Sequence, residues 1–367
     1  MEDALKVDDI PVRVEQSLFE VRQKVYPRAV RGWFAAWRWA LVWATQLVFY
    51  GGAWLTWNER QAVLFDIVHR KFYLFGLVFW PQDIIYLTVL LVLGALSLFL
   101  FTAVAGRLWC GYACPQTVYT EIFLWIERKV EGDRNARMRL DKQGLTFEKV
   151  LRKAAKHSLW IALALWTGLT FVGYFTPIRE LLTSSPGPWE AFWVLFYGFA
   201  TYGNAGWMRE QVCKYMCPYA RFQSAMFDKD TLIITYDEQR GEPRGKGQGK
   251  GDCVDCGICV QVCPTGIDIR NGLQYECIGC AACIDGCDQV MEKVNRPRGL
   301  IRYSKGRILR PRVIVYSAVL LLIAVAAATS LYLRTPLKVD VIRDRAALAR
   351  EVEGGLIENV YRLQIMN

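Results

Sequence analysis

Twelve cysteines carry the chemistry legible in this 367-residue chain. Eight stand in two runs: Cys253, Cys256, Cys259 and Cys263, then Cys277, Cys280, Cys283 and Cys287. Each run is C-x2-C-x2-C-x3-C, the ligand spacing for a pair of [4Fe–4S] clusters. Three close thiolates wrap one corner of a cube, and the distant fourth crosses to the other cluster. The spacing therefore assigns Cys253, Cys256, Cys259 and Cys287 to one cluster, and Cys277, Cys280, Cys283 and Cys263 to the other. A zinc ribbon uses paired C-x2-C knuckles and has no need of runs of four. The first run closes on Pro264 and the second on Asp288, which alters a turn but removes no ligand. Between Asp252 and Glu292 Arg270 is the one base among seven acids. That acidic face is either a solvated surface or a docking face for a basic donor.

The other four cysteines form a repeated motif, Cys110-x-Tyr-x-Cys114-Pro115 and Cys213-x-Tyr-x-Cys217-Pro218. On a helix, residues four apart share a face, so two helix ends could converge four thiols. Thiolates are soft ligands suited to Cu(I), Zn or iron–sulfur. Buried free cysteines are also ordinary core residues, but the same Tyr and Pro in both copies favours a metal or redox site. Each Pro should start a new helical segment or a turn. Met208 and Met216 lie near enough in sequence to add thioether ligands. Haem is excluded, since the chain has two His, His69 and His157, and no C-x-x-C-H. Phosphate loops and dinucleotide fingerprints are absent too. Electrons must then arrive from another protein or a membrane-soluble carrier.

Positioning these cysteines falls to apolar helices. The chain is 53% hydrophobic, and five stretches carry no charge: Trp39–Trp57, Ile84–Gly106, Ser158–Ile178, Ala191–Met208 and Val313–Leu333. A helix of roughly 17–25 apolar residues spans a bilayer. The expected fold is an α-helical integral membrane protein of five transmembrane helices with an inserted α+β dicluster ferredoxin module. Phe72–Gln82 is too short to span and should rest at the interface or re-enter it. No compact signal peptide precedes Trp39, so Trp39–Trp57 is expected to remain as the first span.

Basic residues gather on the cytoplasmic side of a membrane protein. Lys6, Arg13, Arg22, Lys24, Arg28, Arg31 and Arg38 precede the first span, and Lys293–Arg312 holds eight basic residues and no acid. The alternation puts the N-terminus, both Cys-x-Tyr-x-Cys-Pro motifs and the module in the cytoplasm and the C-terminus outside. A reducing cytosol disfavours disulfides. The net charge of +10 is distributed as membrane topology and attraction to anionic lipid require, and nucleic acid binding is not expected. The domain reading is a cytoplasmic segment 1–38, a four-helix region 39–237, a flexible Gly-rich linker 238–251 and the dicluster module 252–292. A basic juxtamembrane segment 293–312, a fifth helix 313–333 and a periplasmic tail 334–367 complete it.

With YLFGLVFWPQD at 73–83, GRLWCGYACPQTVYTE at 106–121, the second CKYMCP and the two cysteine runs, the sequence resembles the CcoG/FixG/RdxA type of cytochrome c oxidase accessory proteins. Membrane polyferredoxins of nitrate and nitrous-oxide respiration share the twin motifs and are the class most easily confused with it. The resemblance implies a bacterial inner-membrane protein that reduces Cu(II) to Cu(I) during copper delivery to a cbb-type oxidase. Copper would be held by Cys110, Cys114, Cys213 and Cys217. Its partners would be oxidase assembly and copper-delivery proteins, together with an electron donor the sequence does not name. Two alternatives stand beside it: a non-enzymatic copper-binding assembly scaffold, and a quinol-linked conduit of a respiratory reductase. The resemblance also implies an immunoglobulin-like domain after the last span, with Leu356–Met366 reading as its opening strand.

Overall fold

The computed structural model describes residues 24–184, 186–247, 249–304, 306–334, 338–343, 350–352, 356–358 and 361–366. Lys6, Arg13 and Arg22 of the basic N-terminal segment lie outside them. The helices are α1 (Trp33–Gly52), α2 (Ile84–Ala105), α3 (Leu108–Tyr112), α4 (Pro115–Glu131), α5 (Arg134–Lys142), α6 (Phe147–Val172), α7 (Ile178–Thr183) and α8 (Pro188–Thr201). They continue as α9 (Pro218–Met226), α10 (Glu238–Gly241), α11 (Ile258–Gln261), α12 (Ala282–Lys293) and α13 (Pro311–Tyr332).

Two of the described helices are long and apolar enough to cross a membrane, Pro81–Ala105 and Pro311–Tyr332. Almost none of either is buried (0% and 6%), the reverse of a soluble core helix. They pack antiparallel: Tyr86 Oη lies 3.2 Å from the Ser330 carbonyl, while at the opposite end the Arg310 guanidinium donates to the Ala103 carbonyl. The other three expected spans are helical but irregular. Tryptophan-rich α1 carries the buried Arg38 and ends at Gly52, ahead of a small hairpin pairing Thr56–Trp57 with Arg60–Gln61. In α6 the first turns are charged. After 14 residues α8 gives way to a π-helical turn, Tyr202–Met208. All three still expose large apolar side chains, among them Leu47, Ile161 and Phe199. α6 and α8 cross tightly, since a Cβ on Gly168 would stand 2.4 Å from the Val194 carbonyl. Small residues at such crossings let helix backbones approach without a polar contact.

Phe72–Gln82, expected to rest at the membrane interface or re-enter it, is largely strand. Its residues form the second and third strands of a three-stranded sheet, Val63–Asp66, Lys71–Leu74 and Leu77–Phe79, followed by a 3-10 turn at Pro81–Asp83. Leu64 pairs with Tyr73, and Tyr73 with Val78. Aromatic and β-branched residues favour that pleated surface, and Phe75 at φ 54 makes the reversal beside Gly76.

The cysteine-rich module is built on α11, α12 and a ribbon pairing Ile234–Tyr236 with Ile301–Tyr303. Ile234, Ile269, Ile284, Met291, Leu300 and Ile301 form its core, so the fold reaches beyond 252–292 on both sides. The Glu238–Gly251 stretch is not a free tether. α10 opens it, Gly251 N donates to the Pro243 carbonyl at 3.0 Å, and Arg240 pairs with Asp252. Asp285 of α12 accepts from Phe34 N (3.2 Å) and Ala35 N (2.7 Å), placing a carboxylate at the positive end of α1. The module is thereby fastened to a helix of the apolar region. Near the C-terminus, Lys338–Arg343 pairs with Tyr361–Met366, and Arg350–Val352 with Leu356–Glu358. The single strand expected over Leu356–Met366 is therefore two.

Candidate redox site

The two Cys-x-Tyr-x-Cys-Pro motifs fold alike. Each begins after a residue in the left-handed region, Gly106 (φ 56) or Arg209 (φ 43). Four residues on, Cys110 lies in the single turn of α3, and Cys213 in a π-helical turn, Val212–Met216. Cys114 (φ −61, ψ 128) and Cys217 (φ −79, ψ 109) are extended and sit at the N-caps of α4 and α9, with Pro115 and Pro218 first in those helices. The expectation that each pair shares one helical face is thus corrected. A proline disfavours the α conformation at the residue before it, so the helix breaks between the two cysteines. The break puts Cys114 where helix N-terminal amides point: burial raises its thiol above the ordinary value, and the Gln116 and Thr117 N–H groups offset only part of that rise.

The four thiols lie near enough to one another to interact electrostatically. Cys213 feels the charges of Cys114, Cys110 and Cys217, and Cys110 those of Cys114 and Cys217. Burial pushes the Cys110 thiol up to about 11 and Cys213 up to about 12. Charge there requires a compensating cation. Each motif also braces the other. Gln116 Nε2 donates to the Asn204 (2.9 Å) and Arg209 (3.1 Å) carbonyls beside the second motif. Tyr219, in the matching position after Pro218, reaches Thr102 Oγ1 (2.6 Å) and the Leu98 carbonyl (3.0 Å) ahead of the first. Fully buried Gln223 of α9 places Nε2 3.3 Å from Cys110 Sγ.

In the module, Cys287 feels Cys259, Cys256 and Cys253, while Cys280 and Cys277 feel Cys263. Two sets of four result, Cys253, Cys256, Cys259 and Cys287, and Cys263, Cys277, Cys280 and Cys283. Cys283 also senses Cys259 of the other set. The two runs take the same path: Asp255 and Gly257 in the first, Gly279 and Ala281 in the second, all have φ between 52 and 68. Burial pushes Cys259 up to about 11 and Cys280 and Cys287 up to about 12. Paired loops, soft donors and thiols that need cationic compensation fit two [4Fe–4S] clusters. Among the described residues, no three His, Cys, Asp or Glu side chains already stand in the tight convergence of a metal shell.

The four-thiol site abuts the second cysteine loop. Cys110 and Cys213 pack against Val262, Ile278 and Cys280. Arg107 donates to the Cys277 carbonyl (3.2 Å) and the Ala220 carbonyl (2.6 Å), and Arg38 of α1 donates to the Cys280 carbonyl. The motif tyrosines differ: Tyr112 is buried beside Tyr303, whose hydroxyl donates to the Gly279 carbonyl at 2.8 Å, whereas Tyr215 is exposed. Met216 is 56% exposed. His69 pairs with Asp66, and His157 bonds Tyr202 at 2.9 Å and stacks on Trp207; neither joins the thiols.

Three family models match the chain: a 4Fe-4S dicluster domain over residues 208–306, a 4Fe-4S binding domain over 87–131, and the IG-like fold at the C-terminus of FixG over 327–367. Protein RdxA of Cereibacter sphaeroides is 40% identical over 96% of this chain and 81% of its own length. Nitrogen fixation protein FixG of Rhizobium meliloti is 38% identical over 97% and 79%. The chain belongs to the FixG/RdxA family. Ferredoxin-type protein NapH of Escherichia coli is more distant, 22% identical over 71% of this chain and 90% of its own. No solved structure matches. FixG/RdxA membership, the dicluster domain and the two exposed apolar helices together make this an iron–sulfur electron-transfer protein of a membrane.

Arg38, Arg107, Gln116 and Gln223 were not legible as site residues. A glutamine five positions beyond Pro218 carries no spacing signal. Only Gln116, directly after Pro115, sits within a motif.

Proposed function

We propose that this protein reduces Cu(II) to Cu(I) at Cys110, Cys114, Cys213 and Cys217 and supplies the reduced ion for assembly of a cbb-type cytochrome c oxidase. The observation that supports the reading is the packing of Cys110 and Cys213 against Cys280, with Cys114 and Cys217 close enough to influence them electrostatically. Thiolates bind Cu(I) in preference to Cu(II), so the site itself favours the product oxidation state. When bound, two [4Fe–4S] clusters supply one-electron transfer beside it. Gln116, Tyr219 and Gln223 hold the thiols in register, so that a change of copper charge meets a fixed ligand set.

In this reading α1, α6 and α8 join α2 and α13 as five spans of a bacterial inner membrane. The module and both motifs are cytoplasmic and the C-terminus periplasmic. Oxidase assembly and copper-delivery proteins take the product. Full-length protein reduced with dithionite, freed of excess reductant by desalting and given Cu(II) with a Cu(I)-specific chelator tests the reading. Cluster reoxidation matched by about two Cu(I) per chain in each of repeated cycles supports catalysis, whereas clusters that stay reduced while copper binds would mark a storage or scaffold protein.

A second reading draws on the 4Fe-4S binding domain matched over 87–131, a stretch holding only Cys110 and Cys114. There the four thiols would hold a third cluster. Iron analysis separates the two: about eight iron per chain for two four-iron clusters, about twelve for three.

A further inference from the structure

A groove of about 830 Å³ runs between α1 and α4. Trp43, Gln46 and Tyr50, within the first expected span, line one end. Glu210, Cys213 and Cys280 line the other. One cavity therefore connects the apolar flank of the molecule to the four-thiol site and to the second cysteine loop. Its wall includes Val42, Leu124 and Leu163, and the Gln46 amide oxygen is sealed from solvent without a hydrogen-bond partner. Several of its cations are already engaged: Arg38 with the Cys280 carbonyl, Arg128 with Glu121 at 3.4 Å, and Arg209 with Glu127 at 3.0 Å.

We infer that this groove binds a membrane quinol, and that the quinol is the electron donor; the inference rests on the membrane redox reading above. A cavity with mainly apolar walls and a minority of polar groups, Gln46, Tyr50, Glu121 and Glu210 among them, suits such a ligand. A donor is required, because the chain has no dinucleotide fingerprint to bring hydride from a soluble carrier. A phospholipid would explain the apolar walls but not why the cavity ends on Cys213 and Cys280. Oxidation of the quinol breaks its two O–H bonds, sends two protons to water past Glu121 and Glu210, and releases two electrons. Those electrons match one for each of two [4Fe–4S] clusters and, in turn, two Cu(II) reduced to two Cu(I).

The test is photolabelling of purified full-length protein with an azido-benzoquinone, with decylubiquinone as competitor. Label is expected on peptides of α1 and α4, displaced by decylubiquinone. It should fall at least tenfold in Ala36→Trp and in Ala29→Trp, two groove-lining positions at which a large ring fills the space. Iron content and dithionite bleaching of the clusters report that both variants fold. Label confined to α2 and α13, or undiminished in a folded variant, overturns the inference. Displacement by cardiolipin but not by decylubiquinone also overturns it, and gives the groove to an anionic lipid. Cu(I) formation by protein that has been reduced and then desalted of free reductant needs no quinol. Its persistence alongside failed labelling sinks this inference alone, while its loss alongside specific labelling sinks the copper reading alone.

Discussion

Gly111 and Cys280 meet backbone to backbone: a Cβ built on Gly111 would stand 2.7 Å from the Cys280 Cα and 2.8 Å from its nitrogen. This contact joins the first Cys-x-Tyr-x-Cys-Pro motif to the cysteine run of the module. A side chain at position 111 has no flexible neighbour to displace, so the two loops must separate. Gly111→Ala should keep copper binding and module iron yet slow Cu(I) formation by the reduced, desalted protein by about tenfold or more. An unchanged rate would show that the contact is packing alone.

Gln116 gives a second prediction. Gln116→Ala removes a side-chain donor from the Asn204 and Arg209 carbonyls, each of which keeps a backbone N–H (2.8 and 3.3 Å), at a cost of about 0.5–1.5 kcal/mol. The Cys213 turn should loosen, and Cu(I) affinity measured by chelator competition should weaken roughly tenfold, with iron unaffected. Native affinity would show that the brace is dispensable.

Glu127 should contribute to acid sensitivity. Burial pushes its carboxyl up, but Arg209, Arg137 and Lys156 outweigh that and hold it below the ordinary 4.5. Because the folded value is depressed, the stabilisation is complete above pH 4.5 and is lost as pH falls through the lower folded value. Glu127→Gln should lower stability near pH 7, since breaking a buried pair costs about 3–5 kcal/mol. It should also flatten the thermal midpoint below pH 4.5. A variant with the parental acid profile would move that sensitivity to another carboxylate.

Much of the site was legible because its ligand chemistry is written in local spacing. C-x2-C-x2-C-x3-C fixes three thiols within a few residues, and the crossing of Cys263 and Cys287 follows from the size of a cube. The pairing of Cys110–Cys114 with Cys213–Cys217 was legible from repetition. Its geometry was not, because Pro115 and Pro218 act on the residue before them and override helical spacing. Long-range partners such as Gln223 and Arg107 depend on how α9 and α3 dock, which no local pattern encodes. Sequence alone leaves Phe72–Gln82 unassigned, because a short apolar run suits helix and strand alike.

Reporter fusions test the membrane arrangement. Fusions after Ile178 and after Leu333 should read periplasmic, and those near Gly144 and Gly251 cytoplasmic. A cytoplasmic reading after Leu333 would invert the charge argument.

The central claim is that four convergent thiols, distinct from the cluster ligands, reduce copper. The most direct measurement compares Cys110→Ser/Cys114→Ser, Cys213→Ser/Cys217→Ser and the fourfold variant for iron per chain and for Cu(I) formed by protein that has been reduced and then desalted of free reductant. Iron should stay near eight in all three, because eight other cysteines fill both clusters. Cu(I) formation should collapse in each pair and fall little further in the fourfold variant, as expected of groups acting as one unit. Copper reduction that survives loss of all four thiols, or iron that falls with them, would contradict the account.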